Sequence, residues 1–414
     1  MHRRCLIALV TLPLTLPVWS APTPAPVFED LLATAAVTAP RLLEEAALLR
    51  AAQGRARQAS AVPNPQLGVE VENVLGSAPY SGYSQAQTTL SLNQPLELAG
   101  QRGARVRAGR AEVDLAVARV RQGQADFAYD LAVAYAAAEF AQSRAARLAE
   151  DLARSDEDLR MARALVDAGR EAPLRVAQAE AAQAAAQADL ALARVDASMG
   201  LAALAGLAGE AVPYAGIEHS LLSRPAAPAQ SADSVPLSPA VATARAEREL
   251  ADRRVGVEQK RALPQLAVSV GLRKFRGDDA TAWVGGLSVS LPLFDRNRGA
   301  IAASRAERDA ADLRSTAAGL EAQRAWRGAL TQSVAAGNRV TATDRGELAS
   351  QEAYRLARIA YEAGRAPLAE LLATRRALTE AQLRALDARQ ARVQAEATFA
   401  RLSGRAPFSA VSLP

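Results

Sequence analysis

The sequence predicts a mostly α-helical chain carrying four membrane-type β-strands, built as a duplicated helix–β-hairpin–long-helix–return-helix unit. Three observations predict it. Prolines and glycines recur at a spacing of about 197 residues along almost the whole chain. Proline is absent between Pro95 and Pro173 and between Pro292 and Pro367, so each of these Ala/Arg/Glu-rich stretches accommodates one very long helix. Four short segments alternate apolar with polar residues, the period of a strand with one polar face.

The repeat rests on six correspondences in constant order: Pro40 with Pro239, Pro65 with Pro264, Pro95 with Pro292, Gly103 with Gly299, Gly169 with Gly364 and Gly209 with Gly404. The organising stretch occurs twice, as TTLSLNQPLELAGQRGARVRAG from Thr88 and as GGLSVSLPLFDRNRGAIAASR from Gly285. In each, a strand meets a proline, then an Arg-Gly pair, then a helix. Chance likeness between two Ala-rich segments does not produce that order.

The expected boundaries follow. Residues 1–20 read as an export signal, with basic His2-Arg3-Arg4, apolar Cys5–Val18 and small residues for cleavage near Ser20. Residues 21–209 form the first repeat, with strands near 66–75 and 84–94, a long helix 103–168 and a return helix 173–207. Residues 210–238 are a Pro/Ala-rich connection. Residues 239–406 form the second repeat, with strands near 264–273 and 282–291, a long helix 299–363 and a return helix 367–402, and 407–414 is a tail. Shorter helices, Arg41–Ala61 and Ala240–Ala262, precede the strands. Arg105–Asp167 alone would run about 95 Å. Val113, Val117, Val120, Phe127, Leu131, Leu148 and Leu159 lie on a seam of alternating four- and three-residue steps, with polar exceptions at Gln124 and Ser155, the 3.5-residue repeat of packed helices. Gly169 and Gly364 suit helix C-caps, and Pro173 and Pro367 suit first-turn positions. The return and pre-strand helices would stack end to end beside the long one.

Composition narrows function. The formal charge is +5, only two lysines occur, no basic block stands out, and aromatics make up 4%; nucleic acid is a poor partner. The one cysteine, Cys5, lies in the signal, and the two histidines are far apart, so no soft metal cluster and no cofactor is expected. No nucleophile–base pair or phosphate loop appears, so the chain is not expected to be an enzyme. After the signal no run of 18 consecutive apolar residues occurs, which leaves an exported soluble protein or a β-barrel. The strands have barrel length, and Tyr80, Tyr83, Phe275 and Trp283 at the hairpin ends suit an aromatic girdle at a membrane surface. Glu70, Glu72, Ser288 and Ser290 would face a lumen. Four strands cannot close a barrel, for which about eight is the smallest single-chain number, so several protomers must contribute. Two soluble hairpins covering a helical domain are the alternative.

The arrangement resembles the TolC family of outer-membrane efflux channels. The resemblance covers nearly the whole mature chain and rests on Pro63-Asn64-Pro65, Gln94-Pro95-Leu96-Glu97-Leu98, Leu291-Pro292-Leu293-Phe294, Tyr361-Glu362-Ala363-Gly364 and Glu370-Leu371-Leu372. It implies a homotrimer whose strands form a 12-stranded barrel and whose helices form a hollow periplasmic α-barrel. It further implies docking on a periplasmic adaptor and an inner-membrane pump of the RND type. QPLELAGQRG and PNPQL look most like the branch paired with cobalt–zinc–cadmium cation pumps. Export of organic compounds or of proteins by the same kind of duct stays open, as does a periplasmic coiled-coil scaffold without a pore.

By the same resemblance Glu370 matches a carboxylate near the periplasmic constriction and Tyr361 a tip aromatic of the closed state. Ala366 stands where some members have a gating arginine, with Arg365 adjacent; Ala373 replaces a second carboxylate; Arg175 occupies the position of a tip acid. Arg175 and Glu370 are therefore expected to link helices and restrain opening. Gly169, Pro173, Gly364 and Pro367 are expected to contact the adaptor.

Overall fold

The computed structural model describes residues 22–225 and 237–408; the expected export signal over 1–20 and the last residues of the expected tail lie outside them. Eleven elements follow in order: α1 (Phe28–Thr38), α2 (Pro40–Ala59), β1 (Gln66–Glu72), β2 (Gln87–Leu96), α3 (Gln101–Asp167), α4 (Leu174–Ala208), α5 (Pro239–Arg261), β3 (Gln265–Phe275), β4 (Ala280–Ser290), α6 (Arg298–Glu362) and α7 (Leu368–Ser403).

The punctuating residues play the same part in both copies. Pro40 and Pro239 open α2 and α5, where a missing N–H costs nothing. Gly209 and Gly404 adopt left-handed φ of 87° and 67° as caps of α4 and α7. The long helices hold 67 and 65 residues, about 100 Å each. Sequence reasoning missed α1 and lengthened two strand ends. β1 stops at Glu72 because Asn73 turns the chain with φ 59°, and β2 begins only at Gln87.

The four strands form one antiparallel sheet in the order β1-β2-β3-β4, so the two hairpins are joined through β2 and β3. Below the sheet, α2 and then α4 run along α3, while α5 and α7 bridge α3 to α6. The expected end-to-end stacking is thus present, and α5 and α7 additionally bind the two repeats into one layer. Small residues set the spacing: a Cβ on Gly109 would lie 3.1 Å from the Ala56 backbone, and one on Gly200 3.2 Å from that of Ala138. The layer ends in two open flanks. On one, α4 exposes Leu192, Val195 and Met199; on the other, α6 exposes Leu313, Leu320, Val334 and Leu348. Among the described residues α4 is the one helix long and apolar enough to cross a membrane, at mean hydropathy 1.5, yet it lies along α3. Its hydropathy comes from alanine.

Midway along α3 the packing closes all round. Phe127, Ala128, Leu131, Ala132, Tyr135 and Ala136 are almost fully buried, because residues of α1, α4 and α7 and a strap together cover this part of the helix. The strap is residues 214–224, part of the connection between the repeats. The Tyr135 hydroxyl donates to the His219 carbonyl at 2.8 Å, and Gln142 both donates to the Ile217 carbonyl and accepts its N–H. The buried Glu139 carboxylate accepts the N–H groups of Leu221 and Leu222 at 2.8 and 3.2 Å and the Ser220 hydroxyl. Residue Ala25 pairs with Ile217, Arg224 holds Glu29 at 2.7 Å, and Phe28 packs edge-on against both Tyr135 and Phe408. His219 itself is exposed, as expected of a lone surface histidine.

Glu139→Ala would leave two buried N–H groups without an acceptor, a loss on the order of 3 kcal/mol. The expected outcome is a lower urea midpoint and new protease cleavage within 210–225; an unchanged midpoint would refute the clamp.

Candidate functional site

The chain offers two regions with functional chemistry, the sheet and the helical tips. Alternation gives the sheet two unlike faces. Leu67, Val69, Val71, Leu90, Leu92, Val268, Val270, Leu272, Trp283, Leu287 and Val289 share one face, and all are exposed. Such a continuous apolar patch is not stable against water. Glu70, Glu72, Ser288 and Ser290 lie together on the opposite face, with Thr89, Ser91, Asn93 and Arg273. Sequence reasoning overlooked Arg273. Of the proposed girdle, Trp283 stands on the apolar face and Tyr80 and Tyr83 are exposed in the β1–β2 loop. Phe275 is different: it pairs with Gln87 and Ala280 and therefore shares the polar face with Arg273. The strand's period decides this, since Phe275 is two residues from Arg273.

The junction from sheet to helix is tightly bonded. Glu97 grips Arg105 through both oxygens, one contact at 2.9 Å, and Arg105 also donates to the Ala61 carbonyl. Gln94 donates to the Pro63 carbonyl at 2.9 Å. Gly100, with φ 81°, starts α3; in the second copy Asn297, with φ 54°, does so and is tied to Glu258.

At the far end the tip glycines cap their helices. Gly169 and Gly364 have φ of 67° and 70°, and the following N–H groups of Arg170 and Arg365 reach back to Leu165 and Ala360 at 2.9 and 2.8 Å. Pro173 and Pro367 stand one residue earlier than expected, as N-caps of α4 and α7. All four are exposed. The two turns touch: a Cβ on Gly364 would lie 2.9 Å from the Arg170 guanidinium.

The gate candidates separate only in part, since the charge of Arg175 acts on the Tyr361 phenol. Tyr361 is 1% exposed, buried among Leu159, Ala162, Leu368 and Leu371, and burial raises its phenol pKa. Glu370 and Arg365 are exposed. Arg175 lies 3.5 Å from Glu171, one helical turn away, and donates to Gln178. Within one chain Arg175 does not meet Glu370, because α4 and α7 pack against α3 rather than against each other.

Just above the tips lies a charged cluster that sequence reasoning missed. The Arg375 guanidinium, 3% exposed, sits 3.4 Å from Asp158 and 3.7 Å from Asp151. Thr379 donates to Asp151 at 2.7 Å, and Ser155 is buried beside them on α3. Burial raises the Asp158 carboxyl to about 6 although Arg375 opposes the shift, and Tyr354 is pushed up to about 12 by burial. The pair joins α3 to α7. One signal was available: Leu371, Arg375, Leu378, Gln382 and Ala385 follow the four-three seam of α7, so a charge stands where an apolar residue is usual. Among the described residues no group of three His, Cys, Asp or Glu side chains is placed to hold a metal ion.

An amphipathic sheet with unclosed edges, continuous with helices about 100 Å long, defines a class: outer-membrane channel proteins with a periplasmic helical extension. The sequence pattern of that class, described as outer membrane efflux protein, matches residues 31–210 and 235–405. The nickel-cobalt-cadmium resistance protein NccC of Alcaligenes xylosoxydans xylosoxydans is 44% identical over 384 residues, 93% of this chain and 88% of the relative. The cobalt-zinc-cadmium resistance protein CzcC of Cupriavidus metallidurans is 29% identical over 361 residues, 86% of this chain and 85% of the relative. Among solved structures the outer-membrane channel OprN superposes with a TM-score of 0.79 at 21% identity, covering 91% of this chain and 89% of its own. The chain belongs to the outer membrane efflux protein family, and both the fold expectation and the heavy-metal branch of the resemblance are met.

The Asp158 cluster predicts a pH response. The folded state holds the Asp158 proton up to about pH 6, whereas the ordinary value is 3.8, so folding takes up a proton between these limits and stability rises as pH falls through them. Asp158→Asn cannot titrate. The difference in Tm between the native protein and Asp158→Asn should therefore grow in favour of the native protein from pH 7.5 to pH 5, and a flat difference would refute the shift.

Proposed function

We propose that three copies of this chain assemble into a passive exit duct for heavy-metal cations, crossing the outer membrane as a β-barrel and the periplasm as an α-barrel. The single observation that carries this is the sheet: its apolar face is exposed throughout, and four strands leave β1 and β4 as open edges. Hydrocarbon tolerates neither open edges nor unpaired backbone groups. Three copies supply twelve strands, above the minimum of about eight, and every edge finds a partner. The open flanks of α4 and α6 support the same assembly, since each exposes apolar residues that a neighbouring copy would cover.

The cargo reading rests on NccC and CzcC, whose names record resistance to nickel, cobalt, zinc and cadmium. Ions would pass without stable coordination, and selection would lie with the inner-membrane RND pump. The adjoining exposed turns around Gly169, Pro173, Gly364 and Pro367 would dock on a periplasmic adaptor. Arg175, Arg365, Glu370 and the buried Tyr361 would govern the tip, with any Arg175–Glu370 contact made between protomers.

A heat-modifiable trimer in the outer-membrane fraction is expected, and a soluble periplasmic monomer would overturn the reading. Deleting the gene should sensitise cells to cobalt, zinc, cadmium or nickel; sensitivity confined to organic compounds would reassign the cargo. For the tip, Glu370→Ala should raise closed-state leakage in single-channel recordings, and unchanged leakage would remove Glu370 from the gate.

A further inference from the structure

The polar face of the sheet carries charge at one level only. Its inner rows are uncharged: Gly68, Ser91, Gly271 and Val284 in register, then Gln66, Asn93, Ser269 and Gly286, then Pro95, Ala267 and Ser288. Toward the β1–β2 and β3–β4 loops, the ends away from the helices, the next two rows bring Glu70, Glu72 and Arg273 together, with Glu70 and Arg273 both in register with Thr89. The remaining charge in the strands, Lys274, lies on the apolar face beside Asp279 at the rim.

The three charges are built into one cluster. Arg273 reaches across β2 from β3, placing Nη2 2.9 Å from the Glu72 carboxylate on β1. On the way its Nε donates to the Thr89 hydroxyl at 2.9 Å and its Nη1 to Gln87 at 3.3 Å. The guanidinium is thereby held flat against the wall and its charge is matched by Glu72. Glu70 is exposed and has no ion-pair partner among the described residues.

We propose that Glu70, Glu72 and Arg273 form a charge-selecting ring at the outer mouth of the barrel, in which Arg273 sets the strength of a cation preference. The proposal rests on the trimeric barrel proposed above. Each protomer contributes two carboxylates and one guanidinium, so the ring has a net negative charge of one per protomer. It stands against a neutral wall and therefore dominates the field a passing ion meets. The ring's excess favours exit of cations over anions. The guanidinium halves the carboxylate field, which keeps divalent cations from lodging: conduction needs binding weak enough to leave.

Reversal potentials in planar bilayers under a KCl gradient test this, using the full-length trimer at about 0.1 M salt, where the Debye length is about 10 Å and the field of the wall charges reaches into the lumen. The native channel should prefer potassium over chloride. Glu70→Gln and Glu72→Gln should each shift the reversal potential toward zero by the same amount. Arg273→Gln should shift it the other way, with a several-fold larger permeability ratio and a new block by cobalt ions. Arg273→Lys, which keeps the charge but loses the bridge to Thr89 and Gln87, should match the native channel. Conducting channels whose reversal potential is the same in all variants would overturn the ring, as would a shift in Arg273→Lys equal to that in Arg273→Gln. A native protein that forms no channel would instead remove the barrel on which the ring depends.

Discussion

A strand edge cannot stand open in hydrocarbon, and this chain has two. β1 and β4 terminate a sheet whose apolar face is exposed along every strand. Each unpaired N–H or carbonyl in lipid costs several kcal/mol, far beyond what any side-chain adjustment returns. The helical layer answers the same demand with different chemistry. Its flanks on α4 and α6 carry leucine, valine and methionine where water would otherwise be met. Strand edge and helix flank thus lie on the same two borders of the protomer, and in the proposed trimer a single rotation of a neighbouring copy would satisfy both.

Duplication explains how one chain builds two wall types in register. Each repeat supplies a hairpin and a helix pair, and the junctions are fixed by local bonds: Glu97 on Arg105 in the first, Glu258 on Asn297 in the second. The chemistry differs while the geometry is kept, with left-handed Gly100 and Asn297 at matching points. The copies have diverged in surroundings too. α3 is central and heavily buried, whereas α6 forms a border and is not.

Much of this was legible in the sequence because it depends on local rules. Proline spacing set the long helices to within a few residues, and the period-2 alternation put Glu70 and Ser288 on one face. What escaped depends on contacts distant along the chain. Arg273 looks like any strand-end arginine until the register carries it over Thr89 to Glu72. Asp158 and Arg375 are two among many charges on Ala/Arg/Glu-rich helices, and only their meeting across α3 and α7 distinguishes them. The strap failed to announce itself because its bonds go to α3, on the far side of the α4 helix from Tyr135 in sequence. Phe275 was misplaced by treating hairpin ends as one level when the strand period assigns them to opposite faces.

The strap gives the molecule a fulcrum. Where residues 214–224 wrap α3 at Tyr135 and Glu139, the helix is gripped on all sides, while above and below it is flanked by single helices. From Glu139 to the end of α3 at Asp167 the helix runs about 40 Å, so a tilt of about 5° at the grip carries the tip about 3–4 Å sideways. Because Arg170 lies against Gly364, the two tips travel as a pair. In a helix this long, a small repacking at the middle would be read out, amplified, at the end, with no melting or refolding of the helix itself.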